Sequence, residues 1–387
     1  MSVLDDIAQY MTTLYSDAET FLIESLAWRM ERDMTVWADD TARVRLINEM
    51  RAVTVAEVRR LAATRTGAAE WAAEAAVESG AAGIRDVLAH ALPATTYGAP
   101  FGQAGLHAVA ATSVDLASRL TEVEQRILRL PSDIWQKFDA VLVTRKLTSS
   151  MHTIQFQREM IGDWYRYGIP GFTDVSGRTW RVGSYVEMAA RTGAQRAATE
   201  GRRAQLLTAG MRLGVILELH SACDRCAPWA GKVVSLDGGL TGLQQLTDMV
   251  TGRPIIVDVA GTIEQARAEG WQHPSCRGSL SAYVPGRDVA RFERTNTGVQ
   301  NTAEQNLRET ERDIRQAKRD LAINPGDRDA RRALLDGQAE ARALVARHGL
   351  ARRYWRESLT WSGDRIPPSR RTKPTTPVIP PRPSLEP

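Results

Sequence analysis

Three cysteines and a histidine stand at the spacing of a metal site. Cys223 and Cys226 form a Cys-x-x-Cys within H-S-A-C-D-R-C-A-P-W, and His273 and Cys276 form a His-x-x-Cys within W-Q-H-P-S-C-R-G. These are all the cysteines of the chain. A Cys-x-x-Cys turn presents two thiolates on one side, and a second pair from a distant turn completes a tetrahedron about zinc. Cys223, Cys226, His273 and Cys276 therefore read as a Cys3His zinc site. Four protein donors leave no position open for a water, so such a site is structural.

Other readings of the same residues stay open. Reduced cysteines also pack as small hydrophobic groups. A Cys-x-x-Cys also serves redox chemistry, although the βαβ pattern that usually carries it is missing. Cys276 with His273 would be a catalytic pair only if the base were placed in space rather than merely nearby in sequence. His220 competes with His273 as fourth donor; two pairs of equal spacing make symmetric knuckles, which favours His273. A nucleotide-deaminase site needs H-x-E ahead of P-C-x-x-C, with the glutamate carrying protons. Here the order is reversed, and Ser275 stands two residues after His273.

The elements that must position these donors are short. After Gly210, R-L-G-V-I-L-E-L-H reads as a strand leading into the first knuckle, and Lys232-Val233-Val234 as its hairpin partner. Two short helices are expected next, over 241–250 and 262–269, with Gly270 as a stop signal. A strand over 279–284 follows the second knuckle. Upstream, Asp174-Val175-Ser176-Gly177 reads as a hairpin turn, with Thr179, Trp180 and Val182 as strand. Ser184 and Glu187 have capping-box spacing, opening a helix to about Arg202. Residues 151–287 thus form a small α+β module, and zinc would join its two ends where loop closure makes a cross-link useful.

Helices flank this module. Over 1–150, Leu4, Ile7, Met11 and Leu14 recur at helical spacing, as do Val44, Ile47, Met50, Val53 and Val58. The alanine-rich run over 67–89 has high helix propensity and few large side chains, so it packs closely or lies on a surface. A loop over 93–105 precedes a helix to Leu130, restarted at Pro131. His90 and His107 stand alone. Over 288–366, Ala303, Leu307, Thr310, Ile314, Ala317 and Leu321 form a heptad seam among interleaved charges, and Asn324-Pro325-Gly326-Asp327 breaks it into a helical hairpin. The tail, 367–387, is proline-rich and is expected to be extended or disordered. The fold class is mainly α, with one small α+β zinc-knuckle module in the middle.

The formal charge of +4 concentrates in that tail, where Arg370, Arg371, Lys373 and Arg382 face only Glu386. Any contact with DNA would then belong to the tail or to an assembly. No apolar run reaches the roughly 18 residues of a membrane span. Acidic residues near the start are unlike a signal peptide, and an odd cysteine count suits a reducing compartment, so synthesis in a cytoplasm is expected.

The middle of the chain resembles the minor capsid and head-morphogenesis proteins of tailed bacteriophages, the Mu F-like and minor-capsid-protein-2 group. The likeness rests on Asp174-x-Ser-Gly-Arg, on Arg191-Thr192 closing a Ser-Tyr-x-Glu-Met helix, and on Cys223-x-x-Cys226. Trp229-Ala-Gly-Lys-Val, His273-Pro-Ser-Cys276-Arg277 and the helix beginning Arg308-Glu-Thr-Glu-Arg continue it over about 150–320. Gly278 stands where relatives often carry a further Cys or His. The resemblance implies a low-copy structural protein of the virion head, associated with the portal vertex, needed for head morphogenesis, and not an enzyme. Its implied partners are the portal protein and the major capsid protein. Packaged DNA through the basic tail and a second copy through the C-terminal helices are further expected contacts. Alternative readings are a capsid maturation protease, which would need a Ser/His/Asp or Ser/Lys arrangement, and a DNA-contacting packaging or ejection factor.

Overall fold

The structure, a computed structural model, describes residues 2–37, 39–90, 102–144, 172–173, 179–217, 223–249, 251–274, 276–286, 299–323 and 326–358. The basic tail over 367–387 lies outside these residues.

The N-terminal part is helical, as its periodicity requires. Helix α1 (Val3–Arg32) starts at Ser2, whose hydroxyl accepts from the Asp5 amide, and carries acids in its first turn and arginines in its last. Its stripe of Ile7, Met11, Tyr15, Ala18, Leu22, Leu26 and Met30 is buried. Helix α2 (Asp40–Ala89) runs 50 residues without a break. Helices α3 (Gly102–Ile127), α4 (Leu130–Thr144) and α5 (Val182–Thr208) complete this body. One apolar cluster joins α1 to α5, including Met50, Leu61, Leu120, Phe138, Val186 and Ala190. Inside it, Tyr15 Oη donates to Glu124 at 2.9 Å, and Arg65 pairs with the same carboxylate.

The alanine-rich run packs closely rather than lying on a surface. Ala68, Ala69, Ala72, Ala73 and Ala76 are buried, and α2 crosses α5 almost backbone to backbone. A Cβ added at Gly80 would stand 1.9 Å from the Ala198 carbonyl oxygen, and one at Gly201 would stand 1.9 Å from that of Val77. Only glycine permits this approach.

The capping box expected at Ser184 is not used. Helix α5 begins at Val182 with Arg181 as N-cap and no side-chain cap. Packing moves the start forward: Val182 is buried in the body, and a Cβ at Gly183 would already be 2.7 Å from Ser16 Oγ. Val182 is accordingly helical, while β1 (Phe172–Thr173) and β2 (Thr179–Trp180) pair antiparallel just before it, as the hairpin reading expects.

The middle sheet has five strands, in spatial order β5 (Gly242–Thr247), β6 (Pro254–Thr262), β4 (Val233–Ser235), β3 (Leu213–Leu217) and β7 (Ser279–Ala282). Strand β3 (Leu213–Leu217) pairs antiparallel with β4 (Val233–Ser235) and with β7 (Ser279–Ala282), in the places expected for the knuckle strands. The helix expected over 241–250 is instead β5 (Gly242–Thr247), antiparallel to β6 (Pro254–Thr262), which joins β4 in parallel. Leu243 and Leu246 suit one helical face in isolation. The partner decides otherwise, because β6 supplies an alternating half-buried ladder with Val257 and Val259 inward. The second expected helix is present as α6 (Ile263–Ala268), with a complete capping box between Thr262 and Gln265.

The C-terminal helices form the expected hairpin. Helices α7 (Val299–Ile323) and α8 (Arg328–His348) enclose Ala303, Leu307, Ile314 and Ala341, together with Leu350. Asp327 caps α8 and Gly349 closes it in a left-handed conformation. A last turn, α9 (Tyr354–Glu357), returns to the body. The architecture is mainly α, with a small α+β module between two helical parts.

Candidate metal centre

Two tight turns bring Cys223, Cys226 and His273 into one group, with Cys276 beside Cys226 but outside that group. In the first, the amides of Cys226 and Ala227 donate to the Cys223 carbonyl at 3.1 and 2.9 Å, folding the Cys-x-x-Cys around one side. A short 3-10 turn (Ala227–Trp229) then leads into β4. In the second turn the Cys276 amide donates to the His273 carbonyl at 2.9 Å, and the Gly278 amide donates to Cys276 Sγ at 3.2 Å.

The turns face each other. Cys223 Sγ lies 3.0 Å from His273 Nε2, and Cys226 Sγ lies 3.4 Å from Cys276 Sγ. The donor atoms of Cys223, Cys226 and His273 all fall within 4.8 Å of one another, close enough to hold one metal ion. His273 Nδ1 is 2.9 Å from the Pro274 carbonyl oxygen. A carbonyl only accepts, so Nδ1 is the donor of this contact, and in the neutral ring Nε2, which faces Cys223 Sγ, would carry the lone pair. That is the tautomer a metal needs. The competing donor His220 lies outside the described residues.

The cluster has a wet side and a dry side. Cys226 and Cys276 are buried, whereas Cys223 and His273 are half-buried. Trp229, Ile263, Ala266, Trp271 and Leu280 close the dry side.

Residues that sequence reasoning missed hold the second turn. Gln272 is 1% exposed and has φ 57°, the one positive φ outside glycine among the described residues. Its Nε2 donates to Thr199 Oγ1 at 2.5 Å, and its Oε1 accepts from Arg267 at 3.0 and 3.1 Å. Arg196 donates to the Gln272 carbonyl at 3.1 and 3.3 Å, while Gln195 Nε2 donates to the Gly278 carbonyl at 2.8 Å. Burial pushes the Arg196 guanidinium below its usual pKa, and Arg119 and Arg267 add to that. None of these side chains has a motif; each partner is distant in sequence.

The isolated histidines lie elsewhere. His90 Nδ1 is 2.8 Å from the Asp86 carbonyl oxygen and His107 is exposed on α3. His152 lies outside the described residues.

A family model described as phage minor capsid protein 2 matches residues 2–346. The chain belongs to the phage minor capsid protein 2 family. The match extends well beyond the central likeness over 150–320, taking in the N-terminal helices and nearly all of the hairpin. No curated protein and no solved structure matches this minor capsid protein significantly. Membership makes the chain a structural protein of a phage capsid and thus a virion component. Among its described residues, no helix is long and apolar enough to cross a membrane.

Proposed function

We propose that this minor capsid protein is a low-copy part of the phage head at the portal vertex, needed for head morphogenesis. In this reading Cys223, Cys226, His273 and Cys276 hold a structural zinc ion that fastens the sheet module. The observation that carries the zinc is the meeting of the two turns, with sulfur and imidazole donors at 3.0 and 3.4 Å. The donor set fits the ion: thiolates and a neutral imidazole are its usual structural ligands, and Zn–S bonds of about 2.3 Å set tetrahedral edges near 3.8 Å. Cys276 touches Cys226 and would have to draw in toward Cys223 and His273 to complete the tetrahedron. Zinc would supply cross-linking, not chemistry.

Portal protein and major capsid protein are the proposed partners. The helical hairpin would offer a contact to a second copy, and the basic tail a contact to packaged DNA. Family membership over nearly the whole chain supports a place in the assembled head.

Quantitative mass spectrometry of purified proheads and virions tests the placement. Full-length chain at low copy in both is expected. Presence in proheads but loss from virions, beside a trimmed major capsid protein, would point to a protease or scaffold instead. Elemental analysis tests the metal: about one zinc per chain is expected in the wild type and none in Cys226→Ser. A chain free of zinc with intact thiols would refute that part.

A further inference from the structure

We infer that Gln272, with Arg196 behind it, is a positioning residue for the metal-bearing turn, and that through it the metal stiffens the crossing of α2 and α5. The inference rests on the zinc reading above.

One stretch of α5 is gripped from two sides. On one side, Gln195, Arg196 and Thr199 hold both ends of the turn over 272–278, through the Gln272 carbonyl, the Gln272 amide and the Gly278 carbonyl. On the other side, Ala198 and Gly201 touch the backbone of α2 at Gly80 and Val77. These contacts all fall within seven residues, 195–201. Thr199 is fully buried between them. Arg267 joins the grip from α6, bonding Gln272 Oε1 and pairing with Glu200 of α5 at 2.5 Å.

The left-handed backbone sets Gln272 apart from every other described residue except glycine. A non-glycine residue rarely takes φ near +60° unless its surroundings fix it. Glycine or asparagine would adopt this backbone more readily, yet neither reaches both Thr199 and Arg267 as glutamine does. The adjacent residue is His273. Fixing Gln272 fixes the direction from which the imidazole meets Cys223. Charge adds to the coupling. Zinc with three thiolates carries a net charge of −1, and the cation of Arg196 lies within electrostatic reach of Cys276. Metal binding thus tightens the same contacts that seat the turn on α5.

The test uses the full-length chain and three variants: Gln272→Ala, Gln272→Gly, and Ile314→Ala as a remote control in the hairpin. Zinc affinity is read by competition with a chromophoric chelator, and donor geometry by the visible spectrum of the cobalt-substituted protein. Gln272→Ala keeps all four donors, yet it should bind zinc about 10- to 100-fold more weakly and shift the cobalt bands. Ile314→Ala should do neither. Gln272→Gly should remain weak. If glycine restores wild-type affinity, the residue serves only its backbone angle and the amide grip is wrong. Hydrogen exchange reads the coupling: removing zinc should speed amide exchange in α2 around residues 73–84. Unchanged exchange there, with zinc bound and then removed, would overturn the coupling alone. A wild-type chain that binds no zinc overturns the zinc reading itself and this inference with it.

Discussion

The crossing of α2 and α5 makes a quantitative prediction with an internal control. Alanine at position 201 would place its Cβ 1.9 Å from the Val77 carbonyl oxygen, 2.7 Å from that carbonyl carbon and 2.9 Å from Val77 Cα. Ordinary contact begins near 3.4 Å, so the backbones must separate by about 1.5 Å. No side chain can rotate away, because the obstructing atoms are the main chain of a 50-residue helix. Overpacking of this kind costs about 1–3 kcal/mol, and rigid neighbours put it at the upper end. Alanine's helix preference over glycine returns about 1 kcal/mol. The net expectation for Gly201→Ala is a loss of about 2 kcal/mol, roughly 30-fold in the folding equilibrium. Gly193 lies two turns earlier in the same helix, and a Cβ there meets nothing within 4 Å. Gly193→Ala should therefore stabilise by about 0.5–1 kcal/mol. Urea titrations followed by far-ultraviolet circular dichroism compare the two directly. Equal midpoints for the two variants would refute the close crossing, since propensity alone gives both the same sign.

Further outcomes follow from the hairpin and its attachment. Ile314 is fully buried, so Ile314→Ala should cost about 2–5 kcal/mol locally and expose α7 and α8 to hydrogen exchange before the body. Glu187 accepts from Arg191 at 3.1 Å and pairs with Arg356 at 2.9 Å, and Arg356 is buried; Glu187→Gln should destabilise the α9 attachment by up to about 3 kcal/mol, seen as faster exchange over 354–357. Burial raises the Asp5 carboxyl, but the hydrogen bond and charge of Arg353 outweigh it and hold the group below its ordinary 3.8. A depressed carboxylate adds stability above its unfolded pKa and loses it as pH falls through the folded value. Asp5→Asn should thus be less stable than wild type at pH 6 by under about 1 kcal/mol and converge with it toward pH 3, checked by denaturation across that range.

What the sequence disclosed depended on how far each constraint reached. The approach of the two turns was legible because a tight turn fixes spacing within four residues, as at Cys223 and Cys226. The hairpin was legible because Leu307 and Ile314 repeat at seven, with a clear breaker after them. Strand β5 was not, because Leu243 and Leu246 fit a helical face until β6 is known to lie alongside. Gln272 carried no signal: its left-handed angle and its partners on α5 arise from contacts more than 70 residues away. Gly80 and Gly201 look like propensity defects in alanine-rich helices, and their purpose appears only when the two backbones meet. Ser184 shows the converse case, a correct local signal overruled by the burial of Val182.

The three parts of the molecule are joined by different forces. Helix α2 enters two apolar clusters, with Val77 in the helical body and Ile84 and Leu88 in the sheet module. Helix α5 does the same through Ala197 and Leu206. Two continuous helices therefore bind body and module, and apolar burial and metal would act on the same seam. The hairpin instead has its own cluster, and the contacts that tie it back are largely ionic: Arg277 with Glu304 at 2.7 Å, Arg356 with Glu187 at 2.9 Å, and Arg353 with Asp5. Salt screens such pairs over about 8–10 Å where water reaches them and leaves apolar burial intact. The body–module seam should therefore hold as ionic strength rises, while the hairpin's attachment to the rest should loosen first.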